Sequence, residues 1–565
     1  MNVDLVHAGV GLNGSYLGEG VIIGILDEGF DFTHPNFKDE NGNLRITRFW
    51  DMHGNEGDPP FFNGEENVGS EYVGEEDILE KAYDTTDYSH GTLVAGIAGG
   101  INGVAPKSEL IFVNPQTASE VSTAIKYLIY HSQLAQKPLV INFSAGFGYG
   151  ETALDNLIEN QNWDSIPGLV IVKSAGNNGD QNSGHVKLYF SGVNTNSKFL
   201  LPSRTDYDES NNQIGATVNF ISEPNGDESA YEVIVGVYDM GNDEWDSELF
   251  PFNFDGNYIN NTYTIIEDDL FFDTDIFEIE VKSLINQSTN RIESTIKVIT
   301  TDNNNVDDKL VLIVNSNDQV IHAWNKPNLL FEYGFRAFDG YSFEPGDNHY
   351  SITSPGSSSD LITVGSYNLT EPLIGDLSNF SSIGPTINEV TKPDISAPGN
   401  QIYSSVNSFQ SIYNYNEYDY NYGTSFAAPV VTGVIALWLE QDPTLTKNDI
   451  EEIFEINARK DSYTGEVYPN NYFGHGKIDA LNWLATLGHE ETNIQAFKIY
   501  PNPSSSNIYL DPYGPYEISI YDLFGKKLIS TKGNQINISE LNANIYFLEA
   551  IDPSGKIFIN KLIKK

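Results

Sequence analysis

The pattern of apolar and polar positions predicts one α/β domain that is built from two segments of the chain, with a long insertion between them. Residues 21–26 form a short apolar run rich in β-branched side chains, which is typical of a strand buried on both faces of a parallel sheet. Residues 426–439 are small and apolar throughout and predict a buried helix. We therefore expect one α/β domain in two parts, residues 1–180 and 351–487.

The region between these parts, residues 181–350, has a different pattern. Short β-rich runs alternate with Asn, Asp and Gly, and no helical period of comparable length occurs. This pattern predicts a β-sandwich inserted into the α/β domain. The predicted strands are 217–221, 231–238, 276–281, 292–300, 310–314 and 320–324.

The last part of the chain differs in both pattern and charge. Residues 488–496 are predicted to be a polar linker, and residues 497–565 contain eight lysines and six acidic residues. Four β-rich runs predict a small C-terminal β-sandwich. These runs are 518–521, 527–530, 545–550 and 557–563.

Length and composition restrict the functional class. A chain of 565 residues is too long for one core and predicts about three domains. Its 79 acidic and 30 basic residues give a net charge of -49, which argues against nucleic-acid and anionic-membrane partners. The chain has no cysteine, so disulfides and thiolate metal sites are excluded. It also has no apolar stretch of transmembrane length.

Three residues have the chemistry of a nucleophilic site. Asp27 follows the first buried run, at the end of the strand where α/β sheets place catalytic groups. His90 opens the small-residue segment HGTLVAG, and Ser425 stands in the segment GTSFAAP before the predicted buried helix. An aspartate can orient a histidine, and the histidine can then take the proton of the serine as it attacks a carbonyl.

In these motifs and their Asp, His, Ser order, the chain resembles the subtilisin-like serine peptidases over about residues 1–180 and 350–485. The resemblance implies a parallel-sheet catalytic domain and an endopeptidase that cuts proteins or peptides through an acyl-enzyme. It also assigns the oxyanion-hole amide to Asn177, in the segment VIVKSAGNNG.

The same resemblance implies two extended backbone edges that bind the substrate by strand addition. One departure from the family pattern is Phe147, which follows Gly146 where a second glycine is common. We expect it to reshape the entrance to the pocket that sets substrate specificity. The implied substrate-binding residues are Ser144, Ala145, Gly146, Ser174, Ala175 and Gly176.

No cofactor is expected for the chemistry, although the family often binds structural calcium. The segment 39–43, DENGN, groups oxygen ligands that calcium prefers, but it lacks a full loop signature and favours a simple turn. Calcium ligands therefore stay unassigned. Two alternatives to a general endopeptidase remain open: a processing protease for its own precursor or one partner, and a non-catalytic surface binding protein.

The insert resembles that of the clostridial germination-type subtilases, which carry a jelly roll. Residues 46–51 and 311–324 carry this looser resemblance. The insert could bind substrate or rigidify the enzyme, and we favour rigidification. A second insertion, residues 56–87, is rich in Gly, Asp and Glu and leads directly to His90; it is either a solvated loop or a contributor to specificity.

The C-terminal segments YPNP (500–503), YDLFGK (521–526) and KLIKK (561–565) resemble the sorting domain of the type IX secretion system of Bacteroidetes. This resemblance implies a secreted or cell-surface protein and the type IX machinery as a partner. Residues 1–7 lack a basic and apolar signal. We expect a signal and an inhibitory propeptide to have been removed ahead of residue 1, or to be absent.

Overall fold

The fold is described from a computed structural model of the chain. The described residues are 1–148, 152–179, 184–191, 197–202, 206–208, 213–224, 230–239, 244–245, 249–267, 275–287, 289–300, 308–325, 335, 342–413, 417–487, 498–511, 514–522, 526–553 and 557–565. The predicted linker 488–496 lies outside them.

Helices are confined to the two parts of the predicted α/β domain within the described ranges. They are α1 Val3–His7, α2 Gly74–Lys81, α3 His90–Gly99, α4 Ala118–Ala135, α5 Ala153–Glu159, α6 Thr424–Gln441, α7 Lys447–Asn457 and α8 Ala480–Leu487.

Strands run through the whole chain. The first part of the α/β domain contains β1 Ile22–Leu26, β2 Ile46–Asp51, β3 Phe61–Phe62, β4 Glu65–Glu66, β5 Ser70–Val73, β6 Glu109–Val113, β7 Leu139–Phe143 and β8 Leu169–Ser174. The insert contains β9 His185–Tyr189, β10 Lys198–Leu200, β11 Asp206–Asp208, β12 Gln213–Ser222, β13 Tyr231–Asp239, β14 Glu244–Trp245, β15 Phe250–Phe254, β16 Ile259–Glu267, β17 Asp275–Asn286, β18 Arg291–Thr300, β19 Asp308–Ser316 and β20 Val320–Asn325. Then follow β21 Ile362–Asn368, β22 Ile395–Asn400, β23 Ile402–Ser405 and β24 Tyr418–Asn421, and finally β25 Lys498–Tyr500, β26 Asn507–Asp511, β27 Tyr516–Tyr521, β28 Lys527–Gly533, β29 Gln535–Asn537, β30 Asn544–Ile551 and β31 Ile557–Lys564.

An eight-stranded sheet in the order β22-β21-β8-β7-β1-β6-β2-β5 forms the centre of the α/β domain. Every neighbouring pair in it is parallel except β2 and the edge strand β5. All residues of β1, β7 and β8 are buried, because helices cover both faces. Because β1, β7 and β8 run parallel to one another, their carboxyl ends lie at the same end of the sheet.

Each face of this sheet has its own hydrophobic core. On one face, Val94 of α3 and Val431 of α6 share a core with Ile23 and Ile25 of β1. On the other face, Leu128 of α4 packs against residues of β1 and β7. The predicted doubly covered parallel sheet is confirmed, and it positions α3 and α6 side by side on one face.

The insert is a β-sandwich, as predicted. One antiparallel sheet follows the order β16-β17-β18-β12-β20-β9, and the other follows β10-β19-β13-β14 with β15 beside β13. Phe220 of β12 and Val233 of β13 lie in one core between the two sheets. The strands extend beyond their predicted bounds, and the domain boundaries stay predictions.

The C-terminal region is also a small β-sandwich, which confirms that prediction. Sheets β25-β26-β29 and β28-β27-β30-β31 enclose a core that includes Ile508 and Ile518. None of the helices in the described ranges is long and apolar enough to cross a membrane.

Candidate active site

Asp27 is held rigidly where β1 leaves the sheet. Its backbone N–H donates to the Val113 carbonyl at 3.1 Å, which continues the pairing of β1 with β6. Its carboxylate accepts a hydrogen bond from the backbone N–H of Glu28 at 2.8 Å. The side chain is buried, so its orientation is determined by its surroundings rather than by solvent.

His90 is the first residue of α3, and its ring faces Asp27. Nδ1 of His90 lies 2.8 Å from Oδ1 and 2.9 Å from Oδ2 of Asp27. The next residue, Gly91, donates its N–H to the Glu28 carbonyl at 2.6 Å. A Cβ on Gly91 would lie 2.7 Å from the Phe30 ring and 2.8 Å from the Glu28 carbonyl, so a glycine is needed for this close approach.

The electrostatic surroundings of His90 favour its protonated form. Burial lowers the pKa of the imidazole, but the Asp27 carboxylate, its hydrogen bond and the Glu28 charge together outweigh burial, and the pKa is raised. A histidine that gains affinity for a proton next to a carboxylate is suited to act as a general base.

Ser425 is the second residue of α6. The helix follows Gly423, whose φ of 147° is a conformation that favours glycine. In this structure the Ser425 hydroxyl donates to the Ser144 carbonyl at 3.0 Å. The adjoining Phe426 ring lies 5.4 Å from the His90 ring, centroid to centroid, so the Ser425 segment and His90 are neighbours.

Asn177 lies just beyond β8, against the start of α6. Its Oδ1 accepts hydrogen bonds from the backbone N–H of Thr424 at 2.8 Å and from the Thr424 hydroxyl at 2.9 Å. These two bonds orient the amide with its oxygen toward α6. Asn177 itself is exposed.

The two predicted substrate-binding edges are joined by a third segment. The backbone N–H of Phe147 donates to the Ser354 carbonyl at 3.0 Å, and that of Thr353 donates to the Ala175 carbonyl at 2.9 Å. Ala145 and Gly146 are exposed, whereas Ser174 and Ala175 are buried. Of the six predicted substrate-binding residues, Gly146, Ala175 and Gly176 therefore border Thr353.

Asp84 is a residue that sequence reasoning missed. Its carboxylate accepts hydrogen bonds from the backbone N–H groups of Gly29 at 3.1 Å, Phe30 at 2.7 Å and Thr85 at 2.7 Å. It thus connects the loop after Asp27 to the loop before His90. Burial raises the pKa of Asp84 to about 7, against the opposing effect of these hydrogen bonds. Within the charged segment 56–87, nothing in the sequence distinguished it.

Lys173 was also missed, although it stands inside a motif that was recognised. It is completely buried in β8, and its ammonium donates to the Ser174 carbonyl. Burial lowers the pKa of Lys173 to about 7, although the Asp155 charge opposes this shift. The sequence did contain a signal for this residue: a lysine stands at the end of a predicted buried strand, although lysines are rarely fully buried.

The described residues contain no group of three or more His, Asp or Glu side chains that could hold a metal ion. At the segment 39–43, the Asp39 carboxylate accepts hydrogen bonds from the N–H groups of Asn41 and Asn43, both at 2.8 Å. These bonds are those of a turn. Calcium is not confirmed.

Comparison with known proteins places most of the chain in one family. The model described as "Subtilase family" matches residues 18–248 and 280–476. The model described as "Secretion system C-terminal sorting domain" matches residues 498–565.

Two curated relatives are similar to the chain. The serine protease AprX of Bacillus subtilis is 35% identical over 147 residues, which are 24% of this chain and 32% of that protein. The PIII-type proteinase of Lactococcus lactis subsp. cremoris is 23% identical over 612 aligned positions, which are 98% of this chain and 29% of that protein. The chain thus spans about a third of the length of these relatives.

One solved structure resembles the chain over most of its length. The CspB protease of Clostridium perfringens has a TM-score of 0.65 and 25% sequence identity, and the match covers 87% of this chain and 99% of that one.

Proposed function

Because the chain belongs to the subtilase family, we propose that it is a serine endopeptidase that hydrolyses proteins through an acyl-enzyme. One observation carries this proposal: a continuous set of contacts at one edge of the sheet. Asp27 contacts His90, the His90 ring lies against Phe426, and Asn177 contacts Thr424. Ser425 stands between Thr424 and Phe426 in the sequence, so it lies between the contact to Asn177 and the contact to His90.

The substrate would bind as an extended strand between the edges 144–146 and 174–176. Such pairing uses backbone hydrogen bonds, so it accepts many sequences. It would bring the carbonyl of the residue before the cut to the start of α6, next to the Ser425 hydroxyl.

In the first step, the Ser425 hydroxyl would rotate from the Ser144 carbonyl toward Nε2 of His90. His90 takes the hydroxyl proton while Oγ bonds to the substrate carbon, and Asp27 stabilises the imidazolium that forms. Catalytic hydrogen bonds often tighten only when the substrate is bound. The observed bond to Ser144 is therefore compatible with this role.

The negative charge on the tetrahedral intermediate needs donors that are already oriented. The Asn177 amide and the backbone N–H of Ser425 would supply them. The aligned peptide dipoles of α6 add a favourable positive potential at its start. Thr424 orients the Asn177 side chain before substrate arrives, so little reorganisation is needed at the moment of reaction.

The intermediate would collapse when His90 returns its proton to the leaving amine, which breaks the peptide bond and leaves the acyl group on Ser425. A water molecule then attacks the ester, with His90 again accepting a proton. The second collapse releases the acid and restores the serine. No metal ion is used in these steps.

The insert would rigidify the catalytic domain. It begins beside residue 179, and His185 and Asp347 exchange backbone hydrogen bonds of 3.1 and 2.7 Å where the chain enters and leaves it. Arg291 of the insert donates to the Asn388 side chain at 2.7 Å. The first pair closes the insert at its base, and the Arg291–Asn388 bond joins the insert to the catalytic domain. Both contacts favour rigidification over substrate capture.

The C-terminal sorting domain indicates a secreted or cell-surface protein of a Bacteroidetes-type bacterium. Recognition of this domain by the type IX machinery is part of the proposal. It is consistent with the separate core of residues 498–565.

The test combines a serine-directed fluorophosphonate with casein as a substrate. The purified chain should become labelled and should cleave casein, and Ser425→Ala should abolish both. Ser462→Ala changes an exposed serine and should retain both. Labelling that persists in Ser425→Ala would remove Ser425 from the mechanism.

A further inference from the structure

The slot between the two predicted substrate-binding edges is narrow, because Thr353 stands in it. A Cβ added to Gly146 would lie 2.7 Å from Oγ1 and 2.9 Å from Cβ of Thr353. A Cβ added to Gly176, on the opposite edge, would lie 2.7 Å from Cγ2 and 2.9 Å from Oγ1 of the same residue. Thr353 therefore touches both walls.

Thr353 can be reached from the cleft. Its side chain is partly exposed, and Gly146 beside it is exposed. A substrate side chain that entered between the walls would meet the methyl and hydroxyl groups of Thr353 as the floor. The Thr353 side chain, which meets both walls, thus limits the depth of the slot.

The Thr353 side chain cannot move out of the slot, because neighbouring residues hold it on both sides and from behind. The backbone of Thr353 is bonded to Ala175 on one side, and the neighbouring Ser354 carbonyl accepts from Phe147 on the other. Behind it, the buried Lys173 ammonium lies 3.5 Å from Oγ1 of Thr353 and 5.7 Å from the centre of the Phe143 ring. Interiors packed in this way do not yield to an extra side chain without strain.

We propose that Thr353 restricts the residue before the cut to glycine, alanine or serine. This inference rests on the proposed endopeptidase function and adds its substrate class. Larger side chains such as leucine and phenylalanine would collide with Thr353 before the scissile carbonyl reached Ser425. A pocket discriminates by about 10- to 200-fold for each methylene that it cannot accommodate, so the preference should be large.

The experiment uses peptides that differ only in the residue before the cut: Gly, Ala, Ser, Asp, Leu and Phe. The wild-type chain should cleave the Ala and Ser peptides with kcat/KM at least ~100-fold above the Phe peptide. Thr353→Gly should remove the floor and raise kcat/KM for the Leu and Phe peptides by at least ~10-fold. The Ala peptide should change much less.

Thr353→Val is the matched control, because valine has nearly the same shape as threonine but no hydroxyl group. It should keep the wild-type preference, which would show that size rather than hydrogen bonding is decisive. Thr353→Ala, with an intermediate floor, should fall between wild type and Thr353→Gly. This variant also provides a second test if the glycine variant folds poorly.

Three results would overturn the inference. They are efficient wild-type cleavage of the Leu or Phe peptide, an unchanged Phe-to-Ala ratio in both the glycine and alanine variants, and a strong wild-type preference for Asp. The last result would assign specificity to the Lys173 charge instead. Fluorophosphonate labelling separates the two proposals: a labelled enzyme with the wrong ranking refutes only the slot, whereas an unlabelled wild-type chain refutes the endopeptidase function as well.

Discussion

The carboxylate of Asp27 is only 5% exposed, whereas the imidazole of His90 that it holds is 35% exposed. The charge that supports the histidine is therefore shielded from solvent, while the histidine itself can reach a substrate. A shielded carboxylate acts more strongly on its partner than one in water does. The pair thus has the asymmetry that a general base requires.

The first prediction concerns pH. His90 must be neutral to accept a proton, and its pKa is raised above the ordinary value of 6.5. Activity should therefore be lost as pH falls through this raised pKa. In Asp27→Asn the supporting charge is absent, so the midpoint of the acidic limb should move to lower pH while the plateau falls by orders of magnitude. The measurement is kcat/KM as a function of pH. Equal midpoints of the acidic limb in wild type and Asp27→Asn would contradict the prediction.

The second prediction concerns Asn177. An amide that contacts the oxyanion only as the carbonyl becomes tetrahedral should affect kcat far more than KM. Asn177→Ala should lower kcat by about 100- to 1000-fold, the range known for loss of the corresponding donor in subtilisin. Asn178→Ala removes the same chemical group one residue further along and should have a much smaller effect. An unchanged kcat in Asn177→Ala would exclude its proposed role.

The third prediction concerns stability and Lys173. Burial lowers its pKa to about 7 from the ordinary 10.5. Between these values the unfolded chain binds more protons than the folded chain, so this lysine makes stability rise with pH across that window. Below about pH 7 the folded protein carries the full cost of a buried charge.

Urea unfolding at several pH values can isolate this effect. The stability of wild type relative to Lys173→Met should increase from pH 7 to pH 10. Lys126→Met, which replaces a partly exposed lysine, should show no comparable trend relative to wild type. If the curves for wild type and Lys173→Met run parallel, the buried ammonium does not titrate in this range.

The fourth prediction concerns the C-terminal domain. Residues 498–565 have their own core and contain no proposed catalytic residue. A chain ending at Leu487 should therefore cleave casein at close to the full-length rate, but should accumulate in the periplasm of a host with type IX secretion. Full-length Ser425→Ala is the control, since it should be secreted without being active. Loss of activity with continued secretion in the truncated chain would contradict both parts.

The local motifs were sufficient to select the proposed triad and Asn177, because each of these residues stands where one element ends or begins. Asp27 follows β1, and His90 and Ser425 lie at the starts of α3 and α6. Such positions are encoded by residues close in the sequence.

The insert shows where the local pattern was insufficient. Strands β9, β10, β15 and β16 were not predicted, although they complete both sheets. β9 pairs with β20 across more than 130 residues of sequence. Pairing at such distances is decided by partners that a local window does not contain.

The family, the parallel sheet, the two β-sandwiches and the candidate nucleophile, base and orienting carboxylate could therefore all be predicted from the amino-acid sequence. Three relationships became visible only in the folded chain: Asp84 joins two loops, Lys173 is buried behind the cleft, and Thr353 stands between Gly146 and Gly176. They could not be predicted because they join segments that are distant in sequence. Their chemistry depends on burial and on distances of a few ångströms, which only the packed chain establishes.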